Sequence, residues 1–64
     1  MSQQVVEARV LTVKQTAQYI GMSVWFVREL VYGRKVPYVL LGTKIMFDRS
    51  DLDDYLESKK VEAR

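Results

Sequence analysis

The chain has 64 residues, 48 % of them hydrophobic and 28 % charged, with a net charge of +2. That composition is of a globular rather than a disordered chain, and its length allows one small domain, which buries only about 60 % of its unfolded surface. It contains no Cys and no His, which excludes disulfides, the common zinc sites, and catalysis through a thiolate or an imidazole.

No apolar run approaches the roughly 18 residues of a membrane span, and Met1-Ser2-Gln3-Gln4 does not resemble a signal peptide. The expectation is a soluble intracellular domain of stability on the order of 3–5 kcal/mol. The charge is unevenly placed. Residues 9–47 carry Arg9, Lys14, Arg28, Arg34, Lys35 and Lys44 against Glu29 alone, a net of +5. Residues 48–64 carry a net of −2. A basic body with an acidic final element suits a polyanionic partner for the body.

Residues 1–9 read as a free, flexible N-terminal arm, with at most a short strand later on, around Val10-Leu11. Thr12 then opens a helix. Its side chain and Gln15 form the T-x-x-Q variant of a capping box. Val13, Ala17 and Ile20 recur on one helical face, with Lys14, Gln15, Gln18 and Tyr19 on the other. Gly21 stops this helix at a position that takes positive φ.

Ser23 caps a second helix over residues 24–32, ended by Gly33. With Val27 at the origin and 100° per residue, Leu30 and Val31 lie within about 60° of it. They form the core stripe. Arg28, Tyr32, Trp25 and Glu29 fall at about 100°, 140°, 160° and 200°, on the bare face. Val24 and Phe26 flank the stripe, Phe26 as a packing residue.

Tyr38 to Leu41 and Ile45 to Phe47 are β-prone runs around a Gly42-Thr43-Lys44 loop, which predicts a two-stranded hairpin. Alternation pairs Val39 and Leu41 with Ile45 and Phe47, leaving Leu40 and Met46 on the other face. Asp48 caps a third helix with a Leu52, Tyr55 and Leu56 stripe. Asp51, Asp53 and Asp54 sit in its first turns, where the helix dipole favours anions. Residues 10–58 thus form one domain, and 59–64 a C-terminal tail. The acids of the last helix are scattered around its outer face, which reads as solvated surface and not as a metal site.

Ala17 permits close helix approach, Gly21 a sharp turn, and Val27 and Leu30 close the packing. This spacing sets the second helix steeply across the first with its far face free, the arrangement a DNA major groove accepts. Leu11 to Leu56 resembles the excisionase-type helix-turn-helix domain, a winged-helix relative of the DNA-binding domain of MerR-type regulators. The resemblance rests on Leu11-Thr12-Val13, Ala17, Ile20-Gly21-Met22-Ser23, Val27, Leu30, Lys35-Val36-Pro37, Gly42 and Ser50-Asp51-Leu52. Two features depart from the family. The wing tip holds one cation, Lys44, and the glycine after the second helix stands one residue earlier than is common.

The resemblance implies an α+β, mostly helical, winged helix-turn-helix fold and a sequence-specific DNA-binding protein without enzymatic activity or cofactor. Members include recombination directionality factors, which bind and bend DNA beside further copies of themselves and an integrase during excision. Others are transcriptional regulators. The implied setting is the cytoplasm of a bacterium or a phage host, on DNA and not on a membrane.

Arg28 is the first choice for reading bases, since Arg bidentate to guanine is the commonest specific contact. Glu29 accepts from cytosine N4 or restrains Arg28. Trp25 presses on a thymine methyl or on backbone, or packs within the chain. Val24 lies beside them. Tyr32, Arg34 and Lys35 suit phosphate, and Lys44 is the wing contact. Thr12 and Ser23 are caps whose helix N-termini also attract phosphate. A different class of function, a protein-interaction module, would use the Trp25 and Leu40/Met46 surfaces.

Overall fold

The computed structural model describes residues 8–62. The elements run β1 (Val10–Thr12), α1 (Val13–Ile20), α2 (Val24–Tyr32), β2 (Val39–Leu41), β3 (Lys44–Asp48) and α3 (Arg49–Ser58). Three helices and an antiparallel sheet of order β1-β3-β2 make an α+β winged helix-turn-helix.

The caps are those the sequence specifies. Thr12 Oγ1 accepts from the Gln15 N–H at 3.1 Å, and Gln15 Oε1 accepts from the Thr12 N–H at 2.9 Å. Ser23 Oγ accepts from the Phe26 N–H at 3.1 Å. Asp48 Oδ1 accepts from the N–H of Ser50 at 3.1 Å, and Asp51 lies in the first turn of α3. Gly21 adopts φ 74°, and the Ala17 carbonyl accepts from the Met22 N–H at 2.9 Å. This left-handed turn lets α2 begin with only three residues between it and the end of α1.

Helix α2 ends at Gly33, as expected, but the left-handed turn that closes it falls on the next residue. Gly33 has φ −85°, and the left-handed residue is Arg34, at φ 52°. The N–H of Lys35 donates to the Leu30 carbonyl at 2.9 Å and that of Arg34 to the Val31 carbonyl at 3.1 Å. This pair of bonds is a Schellman motif, with Arg34 where glycine is preferred.

The wing has three strands, not two. β1 pairs with β3 through Val10↔Asp48, Leu11↔Phe47 and Thr12↔Met46, so the short strand near Val10 is part of the sheet. The hairpin register also differs. Leu41 pairs with Lys44, Leu40 with Ile45 and Val39 with Met46, around a two-residue Gly42-Thr43 loop. Gly42 has φ 66°, which a two-residue hairpin loop demands at its first position in a type II′ turn. Shortening the loop by one residue exchanges faces. Leu40 shares the core-side face with Ile45 and Phe47, while Val39, Leu41, Lys44 and Met46 share the other.

The core is Leu11, Ala17, Val27, Leu30, Val31, Val36, Phe47 and Leu52. Phe47, Leu52 and Val27 are wholly buried, as is Thr16, whose hydroxyl has no partner among the described residues. Ala8, Val13, Ile20, Phe26, Ile45 and Tyr55 pack around this centre. Leu56, expected in the α3 stripe, is exposed. Ala8 and Arg9, expected in a free arm, are held. Ala8 packs on the core, and Arg9 Nε lies 3.1 Å from Asp48 Oδ2. The rest of the expected arm, and the last two residues of the expected tail, lie outside the described residues.

Candidate nucleic-acid interface

Helix α2 is placed by its apolar stripe. Val27, Leu30 and Val31 are buried, which turns Trp25, Arg28, Glu29 and Tyr32 to the surface. Trp25 is 68 % exposed and Tyr32 73 % exposed, so neither indole nor phenol is engaged in packing the chain's own core. Val24, at the first position of α2, is exposed as well. Among the described residues the ion pairs are Arg9–Asp48 and Lys60–Glu57, and neither Arg28 nor Glu29 joins one.

The exposed residues of α2 divide between its two flanks. On one side Arg28 and Val24 line a groove of about 430 Å³ with Thr12, Val13 and Lys14 of the α1 start and Lys44 and Ile45 of the wing. Three cations from three elements border this groove, and no acid does. Lys14 was not singled out in the sequence, where it reads only as outward-facing. Its signal was position: it follows the Thr12 cap by two residues, at the end of α1 that meets the wing.

On the other side Trp25, Glu29, Tyr32 and Lys35 line a groove of about 550 Å³ with Phe26, Leu30, Gly33, Tyr55 and Lys59. Lys59 Nζ lies 5.5 Å from the centre of the Tyr55 ring. Arg34 lines neither groove. It borders a third one with Val36, Pro37 and Tyr38, in the segment between α2 and β2. Ser23 sits at the head of α2 as its cap. The α2 amide N–H groups at this end remain partly free, a local positive pole.

Two acids of α3, Asp53 and Glu57, have partners within the chain, Tyr19 and Lys60. Tyr19 donates to Asp53 Oδ1 at 2.6 Å, and Arg49 lies over the Tyr19 ring, 5.8 Å from its centre. The Asp53 hydrogen bond, with some desolvation, pushes the Tyr19 phenol above its usual range. Ser50, donating through its N–H and its hydroxyl, holds the Asp48 carboxyl below the usual carboxylate range, and Arg9 adds to this. Among the described residues no group of His, Cys, Asp and Glu can hold a metal ion, and no helix is long and apolar enough to cross a membrane.

Comparison with known families agrees with this geometry. Residues 10–60 match the family model described as a helix-turn-helix domain. Searches of curated proteins and of solved structures return no match. The match covers every element from β1 to α3. The chain therefore belongs to the helix-turn-helix domain family, and it is a DNA-binding protein.

Proposed function

We propose that α2 enters the major groove of duplex DNA and that the chain acts as an excisionase. In this reading it binds and bends DNA beside further copies of itself, so that an integrase can assemble for excision. The observation that carries the DNA geometry is the convergence of Lys14, Arg28 and Lys44 around one groove at the flank of an exposed helix face. Three cations without a neighbouring acid suit a phosphate-lined partner.

Each residue has a place in this arrangement. Arg28 reads guanine, Glu29 accepts from cytosine N4, and Trp25 and Val24 meet thymine methyl groups or sugar. Tyr32, Lys35 and Arg34 contact phosphate beyond the helix. Lys14, with Thr12 and Ser23 at the two helix starts, fixes the register on the opposite strand. Lys44 holds backbone beside the wing. No step of this mechanism makes or breaks a bond. The excision role is supported by the resemblance of Leu11 to Leu56 to excisionase-type domains.

Selection of bound sequences from random duplexes, followed by footprinting, tests the binding geometry. The expected result is a defined site whose strongest position relaxes in Arg28→Ala, with a loss of roughly 1–3 kcal/mol. An Arg28→Ala variant with unchanged affinity and preference removes Arg28 from the reading role. The role in excision is tested in a reconstituted reaction with an integrase and its attachment sites. Excision that rises on adding the chain supports it. Excision unaffected by the chain, with a promoter bound instead, points to a transcriptional regulator.

A further inference from the structure

The wing tip stands clear of the rest of the chain. Nothing lies within 4 Å of the position a Cβ on Gly42 would occupy. Leu40 and Leu41, just before it, are 61 % and 52 % exposed. They point to opposite faces of β2, so the tip carries apolar surface on both sides. Leu41 pairs with Lys44, which borders the basic groove with Lys14 and Arg28. From Tyr38 to Phe47, Lys44 is the one charged residue.

A wing that works by phosphate attraction gains from each added cation. This tip offers shape and apolar surface instead, with one cation, Lys44, on the rung beside the turn. We propose that the tip is an apolar wedge for the minor groove: Leu40 and Leu41 press between base pairs and kink the duplex, while Lys44 holds the adjoining phosphate. The inference rests on the reading that α2 occupies the neighbouring major groove.

The physical case has two parts. Exposed leucine side chains gain by leaving water, and the faces of partly unstacked bases are apolar surface that receives them. Duplex DNA is the partner that fits because Lys44 ties the tip to the groove of Lys14 and Arg28. A polyanion held there brings its next groove to the hairpin end. The kink would supply the bend that the proposed excision role needs.

The test uses the full chain and a duplex obtained by selection from random sequences. Base steps flanking the footprint carry 2-aminopurine, which brightens on unstacking. The duplex ends carry a donor–acceptor pair that reads the bend. Wild type is expected to brighten a step on each side of the tip and to bend the duplex by roughly 20–90°. The variant Leu40→Ala with Leu41→Ala is expected to lose the brightening and most of the bend. It should bind about tenfold more weakly, with the salt dependence unchanged because Lys44 remains. Circular dichroism checks its folding, and Leu41→Asn alone serves if the double variant unfolds.

Wild type that binds with neither brightening nor bend overturns the wedge while leaving the DNA reading intact. Variants that match wild type in both signals do the same. Loss of self-association by sedimentation with an unchanged bend assigns the leucines to protein contact, which also overturns it. Wild type that binds no duplex at low salt overturns the wedge and the DNA geometry together.

Discussion

The Tyr19 hydroxyl donates a 2.6 Å hydrogen bond to Asp53 Oδ1 and thereby ties α1 to α3 across 34 residues of chain. The bond holds the phenol in its protonated form, so the Tyr19 pKa is raised in the folded state. A group raised in this way stabilises the fold fully below its unfolded pKa of about 10 and loses that contribution as pH rises through the higher folded value. Thermal melting of wild type and Tyr19→Phe should therefore differ at pH 8, wild type melting higher. The gap should close as pH rises through the higher folded value. A gap that persists at high pH, or no gap at pH 8, would show that the bond contributes nothing.

Asp48 behaves with the opposite sign. Its carboxyl is lowered by the Ser50 hydrogen bonds and by Arg9. Its contribution is present above the unfolded value of about 3.9 and is lost as pH falls through the lower folded value. Asp48→Asn keeps an acceptor for the α3 N-terminus but cannot titrate. Its melting temperature should fall less steeply between pH 4 and pH 2 than that of wild type, whereas Asp48→Ala should be destabilised at neutral pH as well. Equal acid sensitivity of Asn and Asp chains would dismiss the carboxylate as a source of acid lability.

Arg34 adopts a left-handed conformation, φ 52°, at the C′ position of α2. A side chain there costs roughly 1–2 kcal/mol relative to a relaxed backbone, and glycine avoids most of it. Arg34→Gly is expected to raise stability by about 1 kcal/mol in urea unfolding. The same variant should bind DNA more weakly, since Arg34 is a proposed phosphate contact. Stability and affinity moving in opposite directions is the signature to look for. A lower urea midpoint would contradict the strain argument.

Thr16 is wholly buried and its hydroxyl has no partner among the described residues. A buried unpaired hydroxyl costs about 1–3 kcal/mol, and valine has nearly the same shape without it. Thr16→Val should stabilise the domain by about 1 kcal/mol. A destabilised variant would mean the hydroxyl is satisfied in solution, by water or by the α1 backbone.

These residues mark where sequence reading succeeds and where it stops. Thr12, Ser23, Asp48 and Gly21 are local signals, acting within three or four residues, and each acts at the position its neighbours dictate. The α2 stripe is equally local, and Val27, Leu30 and Val31 are buried as their spacing requires. The sheet is not local. Leu11↔Phe47 joins distant segments, and one residue more or less in the Gly42 loop exchanges the faces of Leu40 and Leu41.

Angular position alone places Thr16 within about 60° of Val13 and 40° of Ile20, on the buried side of α1, but its hydroxyl masks that signal. At the interface, exposure of Trp25 and Arg28 was legible from α2 alone. Their separation onto two flanks was not, because it depends on where Lys14, the wing and Tyr55 are brought.

In the proposed complex the basic groove of Lys14, Arg28 and Lys44 binds the phosphate backbone of a duplex beside α2. Titration of the selected duplex over a salt series measures this directly. With about five phosphates neutralised, log K should fall against log salt with a slope near −4.5, and Lys14→Ala and Lys44→Ala should each reduce the slope by about 1. A flat salt dependence, or slopes that neither substitution changes, would contradict the claim.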